Sequence, residues 1–184
     1  MMENLLSRIS NPQMRNATRS LLYIYRDKFN QPASISGKYH SNESVKEHSC
    51  EVAIIALLIA NGHRLSQRWK DILLCAALLH DVGKLEYTSY LPVKRWKRYN
   101  HPNGNKYWVK FPEYIDHPEF AYNFIIKNPF PESEIVAELC LKHMGPWSSR
   151  HIPRPETFIE NIIFVSDLLA SRRGISVDME VFKY

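Results

Sequence analysis

Apolar residues recur at spacings of three and four along most of the chain, the period of a helix with one buried face. The polar positions between them supply the punctuation. Asn11-Pro12 opens a helix expected over residues 12–29, with Pro12 in the first turn, where its missing N–H costs nothing. Residues 31–42 are polar and Ser-rich and contain Gly37, so they read as a loop. Ser44-Val45-Lys46-Glu47 has the form of a capping box, in which hydroxyl and carboxylate each satisfy a free backbone N–H. Its helix extends to Asn61, with Gly62 placed to end it in a left-handed conformation. Ser66 opens the next helix, which carries WKDILLCAALLH to His80. Residues 81–118 are broken by Pro92, Pro102, Gly104 and Pro112 and hold no long helical pattern. Nothing there alternates with period two over a useful length, although YWVKF at 107–111 could pair as a short strand. Helices resume over 119–127 and 132–143. After a Pro/Gly-containing connection, Thr157-Phe158-Ile159-Glu160 is a second capping box whose helix is expected to reach about residue 173, before Gly174. The expected fold is all-α.

Composition narrows the class. At 184 residues, 45% hydrophobic and 23% charged, the chain fits one globular domain and neither a disordered nor a fibrous protein. The longest apolar run, 52–60, is half of what a membrane span needs. Glu3 and polar residues interrupt the N-terminal stretch where a signal peptide needs an apolar core. A cytoplasmic protein without a membrane partner is expected. Cys50, Cys75 and Cys140 form no CxxC pair and fall in apolar helical patterns, as buried core residues of a reducing compartment do. A net charge of +5 is a modest bias toward anionic partners.

The chemistry is carried by histidines and two aspartates. His48 follows the first capping box, His80 and Asp81 end a very apolar helix, His117 precedes a helix, His143 ends one, and Asp167 sits in FVSDLLA. Unpaired polar groups are costly in such places, and imidazole with carboxylate is a ligand set for Mn, Fe, Co, Ni or Zn. Singly, each has an ordinary reading: a solvated helix residue for His48, helix-end groups for His117 and His143, a helix-to-helix hydrogen bond for Asp167. The adjacent His80-Asp81 is harder to dismiss, because a charged aspartate at the end of a buried helix needs a partner.

The pattern resembles the HD superfamily of metal-dependent phosphohydrolases over roughly residues 40–174: His48 in KEHSCEVA, the doublet in LLHDVGK, and Asp167 in VSDLLASRRG. The resemblance implies a single HD domain over 1–184, with its core at about 40–174, and four ligands of a first metal: His48, His80, Asp81 and Asp167. It implies His117 and His143 as ligands of a second ion, bridged to the first by Asp81. One or two divalent transition-metal ions are expected, with Mg as a further candidate. His40 is the competing first histidine; the helical frame around Val52 and Ala53 favours His48. His40, His63 and His101 are then outside the ligand set, and His63 should be exposed.

The chemistry that follows is hydrolysis at phosphorus, since a divalent ion acidifies water and neutralises phosphoryl oxygens. Asp81 and Lys84 would act at the reacting centre. Lys84 matches the Lys of the family's HDxGK run and is assigned to a substrate phosphate, against an exposed solvating lysine. Arg172 is a further phosphate candidate, although it and Arg173 also suit the end of a helix dipole. Trp147 and His151 are candidates to line the same cleft. His143-Met144 and the GPW at 145–147 depart from the cyclic-di-GMP class, which argues against a third metal and against that substrate.

Residues 87–112 contain no acid, and Lys94, Arg95, Lys97, Arg98, Lys106 and Lys110 alternate with Tyr87, Tyr90, Trp96, Tyr99, Tyr107, Trp108 and Phe111. This insertion, about 87–116, is expected to be irregular. Its cations and rings are the parts of a nucleotide site or of a single-stranded nucleic-acid contact through 94–110; the alternative is a basic loop with its aromatics packed below. Three functions remain: a phosphohydrolase or phosphodiesterase of a nucleotide-type substrate, a mixed-valent di-iron oxygenase, and a metal-stabilised nucleotide or nucleic-acid binding module without turnover. A homo-oligomer is compatible with each.

Overall fold

Asn11 and the two capping boxes show how local chemistry sets the helix starts. In the structure, a computed structural model that describes residues 1–34, 43–86, 93–100, 106–113, 117–148 and 151–172, the Asn11 side chain accepts from the N–H groups of Gln13 and Met14. Ser44 and Glu47 form the expected box, and so do Thr157 and Glu160. Each satisfies N–H groups that a helix cannot satisfy itself.

The elements run α1 (Met2–Ser7), α2 (Pro12–Ile24), α3 (Val45–Gly62), α4 (Gln67–Leu79), α5 (Val82–Leu85), β1 (Val93–Asn100), β2 (Lys106–Glu113), α6 (His117–Lys127), α7 (Ser133–Lys142) and α8 (Phe158–Ala170). The fold is all-α, a helical bundle into which one hairpin is inserted between α5 and α6. The centre is α4, buried at every position from Asp71 to Leu79 and packed on α2, α3, α7 and α8. A helix that is apolar all round belongs in such a place. The three cysteines are free and buried, and burial pushes the Cys50 and Cys75 thiols up to about 11 and 12. Among the described residues no helix is long and apolar enough to cross a membrane.

Four expectations are corrected. The helix expected over 12–29 ends at Ile24 and continues as a 3₁₀ turn at Arg26–Lys28. The left-handed residue after α3 is Arg64 (φ 52°), two positions beyond Gly62. The last helix ends at Ala170, short of residue 173. The insertion is not irregular over 93–100 and 106–113: these pair antiparallel, from Val93 opposite Glu113 to Asn100 opposite Lys106, and the YWVKF segment lies inside β2. Cations on both faces hid the period-two pattern, while the aromatic and β-branched residues between them favour a pleated backbone. Two short helices, α1 and α5, carry too few residues to show a period.

Asp71 ties the N-terminal segment to the centre. Its carboxylate, buried on α4, accepts from Ser10 N–H (2.9 Å), Ser10 Oγ (2.6 Å), Asn11 N–H (2.9 Å) and Gln67 Nε2 (2.8 Å). Burial alone would raise its pKa, but these four donors outweigh burial and hold it below the ordinary value. A depressed folded pKa means that the stabilisation is complete above the unfolded value of ~3.9 and is lost as pH falls toward the folded one. Asp71→Asn should therefore lower stability by about 2 kcal/mol at pH 7. Thermal denaturation of both proteins should show the gap closing below about pH 4, where the wild-type carboxyl becomes protonated.

Candidate metal centre

Two helix ends aim histidines at the same point. His80 is the C-cap of α4 and His143 the C-cap of α7. The His80 Nδ1 lies 2.7 Å from the Ala77 carbonyl, and the His143 Nδ1 lies 2.6 Å from that of Cys140. A carbonyl can only accept, so both Nδ1 atoms carry hydrogen and both Nε2 atoms, in the neutral rings, present lone pairs. Those carbonyls belong to the last turns of their helices, where no intrahelical N–H reaches them. One contact thus completes a helix end and fixes a tautomer.

His48 enters from the first turns of α3 and Asp167 from α8; His48 Nε2 lies 2.9 Å from Asp167 Oδ1. His117 heads α6, with its Nε2 3.1 Å from His143 Nε2. At metal–nitrogen bonds of ~2.1 Å, two ligands of one ion stand about 3.0–3.4 Å apart, so this spacing suits a shared cation. Asp81 lies between the pairs. Its Oδ2 is 3.4 Å from His80 Nε2 and 3.7 Å from His48 Nε2, and its Oδ1 is 3.3 Å from His117 Nε2 and 3.7 Å from His143 Nε2. Asp81 Oδ1 and His80 Nε2 are nonetheless buried without a hydrogen bond, which is the condition of donor atoms shaped for an ion. His48, His80 and Asp167 form one group of ligand atoms that could hold a metal; His80, Asp81 and His143 form another.

Electrostatics agree with the donor chemistry. Burial, reinforced by His80 and His117, pushes His143 down to about 3, so it is neutral. Burial works against ionised Asp81, but His80 and Lys84 outweigh it and hold the carboxyl well below its ordinary range. For Asp167 the His48 hydrogen bond does the same. Burial also opposes a charged His80, yet Asp81 and Asp167 raise its pKa, the same attraction seen from the imidazole. Asp81 and Asp167, both held in the carboxylate form, are the anionic donors that a cation would meet there.

Residues 45–172 match the HD domain family. The chain belongs to the HD domain family. No curated protein and no solved structure matches it. HD domains bind divalent metals and are of metal-dependent hydrolase type in general, and this HD domain carries His/Asp groups that could hold a metal.

The remaining candidates are placed as follows. Lys84 is buried, so it is not the exposed solvating lysine; its Nζ lies 2.6 Å from Asp81 Oδ2 and 3.0 Å from the Ala33 carbonyl, and it would have to leave both to meet a phosphate. His151 is exposed and pairs with Glu119, two residues after His117. Trp147 is 57% exposed in the turn after His143, its ring 5.8 Å from that of Phe164, one turn before Asp167. Arg172 is exposed beyond the end of α8. His63 is exposed as expected, with its ring against Phe158. His40, His101 and Arg173 lie outside the described residues.

Sequence reasoning overlooked Gly83. A Cβ there would stand 2.1 Å from the His117 carbonyl oxygen and 2.7 Å from its Cα, so α5 and the first residue of α6 touch backbone to backbone. The signal was available in the Gly of LLHDVGK. Gly83→Ala must push His117 away from His143 and Asp81. It should cost about 1–3 kcal/mol of stability and reduce bound metal, which denaturation and elemental analysis of the same preparation would read separately.

Proposed function

We propose that this HD domain hydrolyses a phosphoester or phosphoanhydride of a nucleotide-type substrate with metal assistance. His48, His80, Asp81 and Asp167 would hold one ion, and His117 and His143, with Asp81, would hold a second. What supports this reading is the position of Asp81: each carboxylate oxygen faces a different pair of imidazole nitrogens at 3.3–3.7 Å, as a bridging ligand requires.

Divalent ions held there supply an acidified water and neutralise charge on the phosphoryl oxygens. The protein's part is geometric and electrostatic. The Ala77 and Cys140 carbonyls hold His80 and His143 as Nδ1–H tautomers, so their rings need no reorientation to ligate. Exclusion of water from five of the six side chains strengthens every charge interaction in the cluster. Asp167, with its side chain 14% exposed, marks the side from which a substrate phosphate can approach. The exposed Trp147, whose ring lies against Phe164 of the same helix, is the aromatic group this reading assigns to an attached base. Arg172 and His151 are the further polar groups offered to such a substrate.

Products from a panel of mono-, di- and triphosphates, cyclic mono- and dinucleotides and dinucleoside polyphosphates, with Mn²⁺ or chelator, test the reading. Metal-dependent cleavage is expected, and Asp81→Ala should reduce it by more than the roughly 10–100-fold that loss of a supporting contact costs. No cleavage by folded, metal-loaded protein, or turnover that instead consumes dioxygen with iron, would overturn it. Lys84→Met separates two roles for the lysine. As a counter-charge to Asp81 it controls metal affinity and kcat, whereas as a phosphate ligand its loss raises KM and leaves metal affinity intact. Its present contacts predict the first outcome.

A further inference from the structure

Pairing of β1 with β2 sorts the residues of the basic, aromatic segment onto two faces, because partners opposite each other in an antiparallel ladder share a face and neighbours along a strand do not. The register places Lys94, Trp96, Arg98 and Asn100 on one face with Pro112, Lys110, Trp108 and Lys106 opposite them in that order. The other face carries Val93, Arg95, Lys97 and Tyr99 with Glu113, Phe111, Val109 and Tyr107. The first face therefore holds four cations, both indoles and no acid. The second holds the aliphatic residues, the acid and only two cations. Sequence alone did not reveal this segregation.

The order within the first face is informative. Trp96 is opposite Lys110 and Arg98 is opposite Trp108, so indole and cation exchange sides from one pair to the next. Trp96 and Trp108 are diagonal neighbours, with backbones about 7–8 Å apart. That is close to twice the ~3.4 Å rise of a stacked strand. Each indole position has a cation directly across and another two residues along its own strand, about 7 Å away. Alternating positive charge and flat rings along a ribbon match a polymer that alternates phosphate and base. An anionic membrane would use the charge but not the diagonal indoles, and a duplex keeps its base faces stacked away from them.

We propose that this face of the hairpin binds single-stranded nucleic acid. Glu113 is four residues before His117, so the base of the hairpin lies within about 14 Å of the backbone of this candidate ligand by chain length alone. A strand seated there passes close to the cluster. The inference does not rest on the hydrolase reading, since it concerns binding without turnover.

A charge-matched comparison tests it. Binding of a fluorescein-labelled single-stranded 20-mer is followed by anisotropy in chelator, with the full chain and again with Asp81→Ala, so that the outcome is independent of metal chemistry. Lys94→Glu/Arg98→Glu should weaken binding at least tenfold and lower the salt slope by about 1–2, as loss of two phosphate contacts requires. Arg95→Glu/Lys97→Glu, the same change of charge on the opposite face, should weaken it less than threefold. Trp96→Ala/Trp108→Ala should weaken it at least fivefold with the salt slope unchanged. Should a double variant not fold by circular dichroism, the single Gln substitutions at the same four cations repeat the comparison. Equal losses from both faces, duplex binding as tight as single-strand binding, or no wild-type binding at 50 mM salt would each overturn the proposal. So would anionic phosphatidylserine vesicles that compete for the same face, which would assign it to a membrane surface.

Discussion

One buried charge organises the structure. Asp81 is fully buried at the junction of α4 and α5, where an isolated carboxylate would cost several kcal/mol. Its retention is explained by what surrounds it: imidazole nitrogens of His48, His80, His117 and His143 within 3.7 Å, and the Lys84 ammonium at 2.6 Å. Those groups come from four separate parts of the chain, α3, the α4–α5 junction, α6 and α7, so these helices have to assemble before the charge is compensated. Stability of the core and readiness of the site are one condition.

The way the histidines are held shows how ordinary helix physics serves that condition. Every helix ends with carbonyls that lack N–H partners, and α4 and α7 assign one of them to the histidine that caps the helix. The repeat of the device on two helices that pack against each other puts two preset Nε2 atoms in the same small volume. His48 reaches it from the opposite end of a helix, where the Ser44–Glu47 box fixes the start of α3 and hence the position of the fourth residue. Gly83 completes the arrangement by omission: only a residue without Cβ lets α5 meet the His117 backbone.

Much of this was legible in the sequence because it is local. Both capping boxes, the Asn11 cap, the apolar α4 and the His80-Asp81 doublet announce themselves within a few residues. The six histidines and aspartates singled out from the sequence do converge, although nothing local brings them together. What escaped notice depends on contacts distant in sequence or on elements too short to be periodic. Asp71 reads as a polar break in an apolar helix, yet it holds Ser10 and Asn11. Lys84 matched a phosphate-binding motif, yet its side chain turns inward to Asp81 and Ala33. The hairpin was hidden because cations stand on both of its faces, and only the register separates them. Gly62 looked like a helix stop, but the chain continues to Arg64 before it turns left-handed, with Leu65 N–H bonded to the Ala60 carbonyl.

The location of the hairpin follows from the same packing. Contact between Gly83 and His117 brings the chain before the insertion and the chain after it together at a fixed separation. A segment joined at such a closed base adds little entropy cost as it lengthens, roughly 0.6 kcal/mol per doubling. A hairpin also begins and ends at neighbouring points, here Val93 opposite Glu113, so it meets that base without pulling on Asp81 or His117. The junction of α5 and α6 is thus a place where the chain can carry additional surface while the geometry of the candidate ligands stays set by the bundle. The fold thus keeps two sets of residues apart: the histidines and aspartates gathered in the bundle, and the cations and aromatics carried on a two-stranded ribbon inserted between α5 and α6.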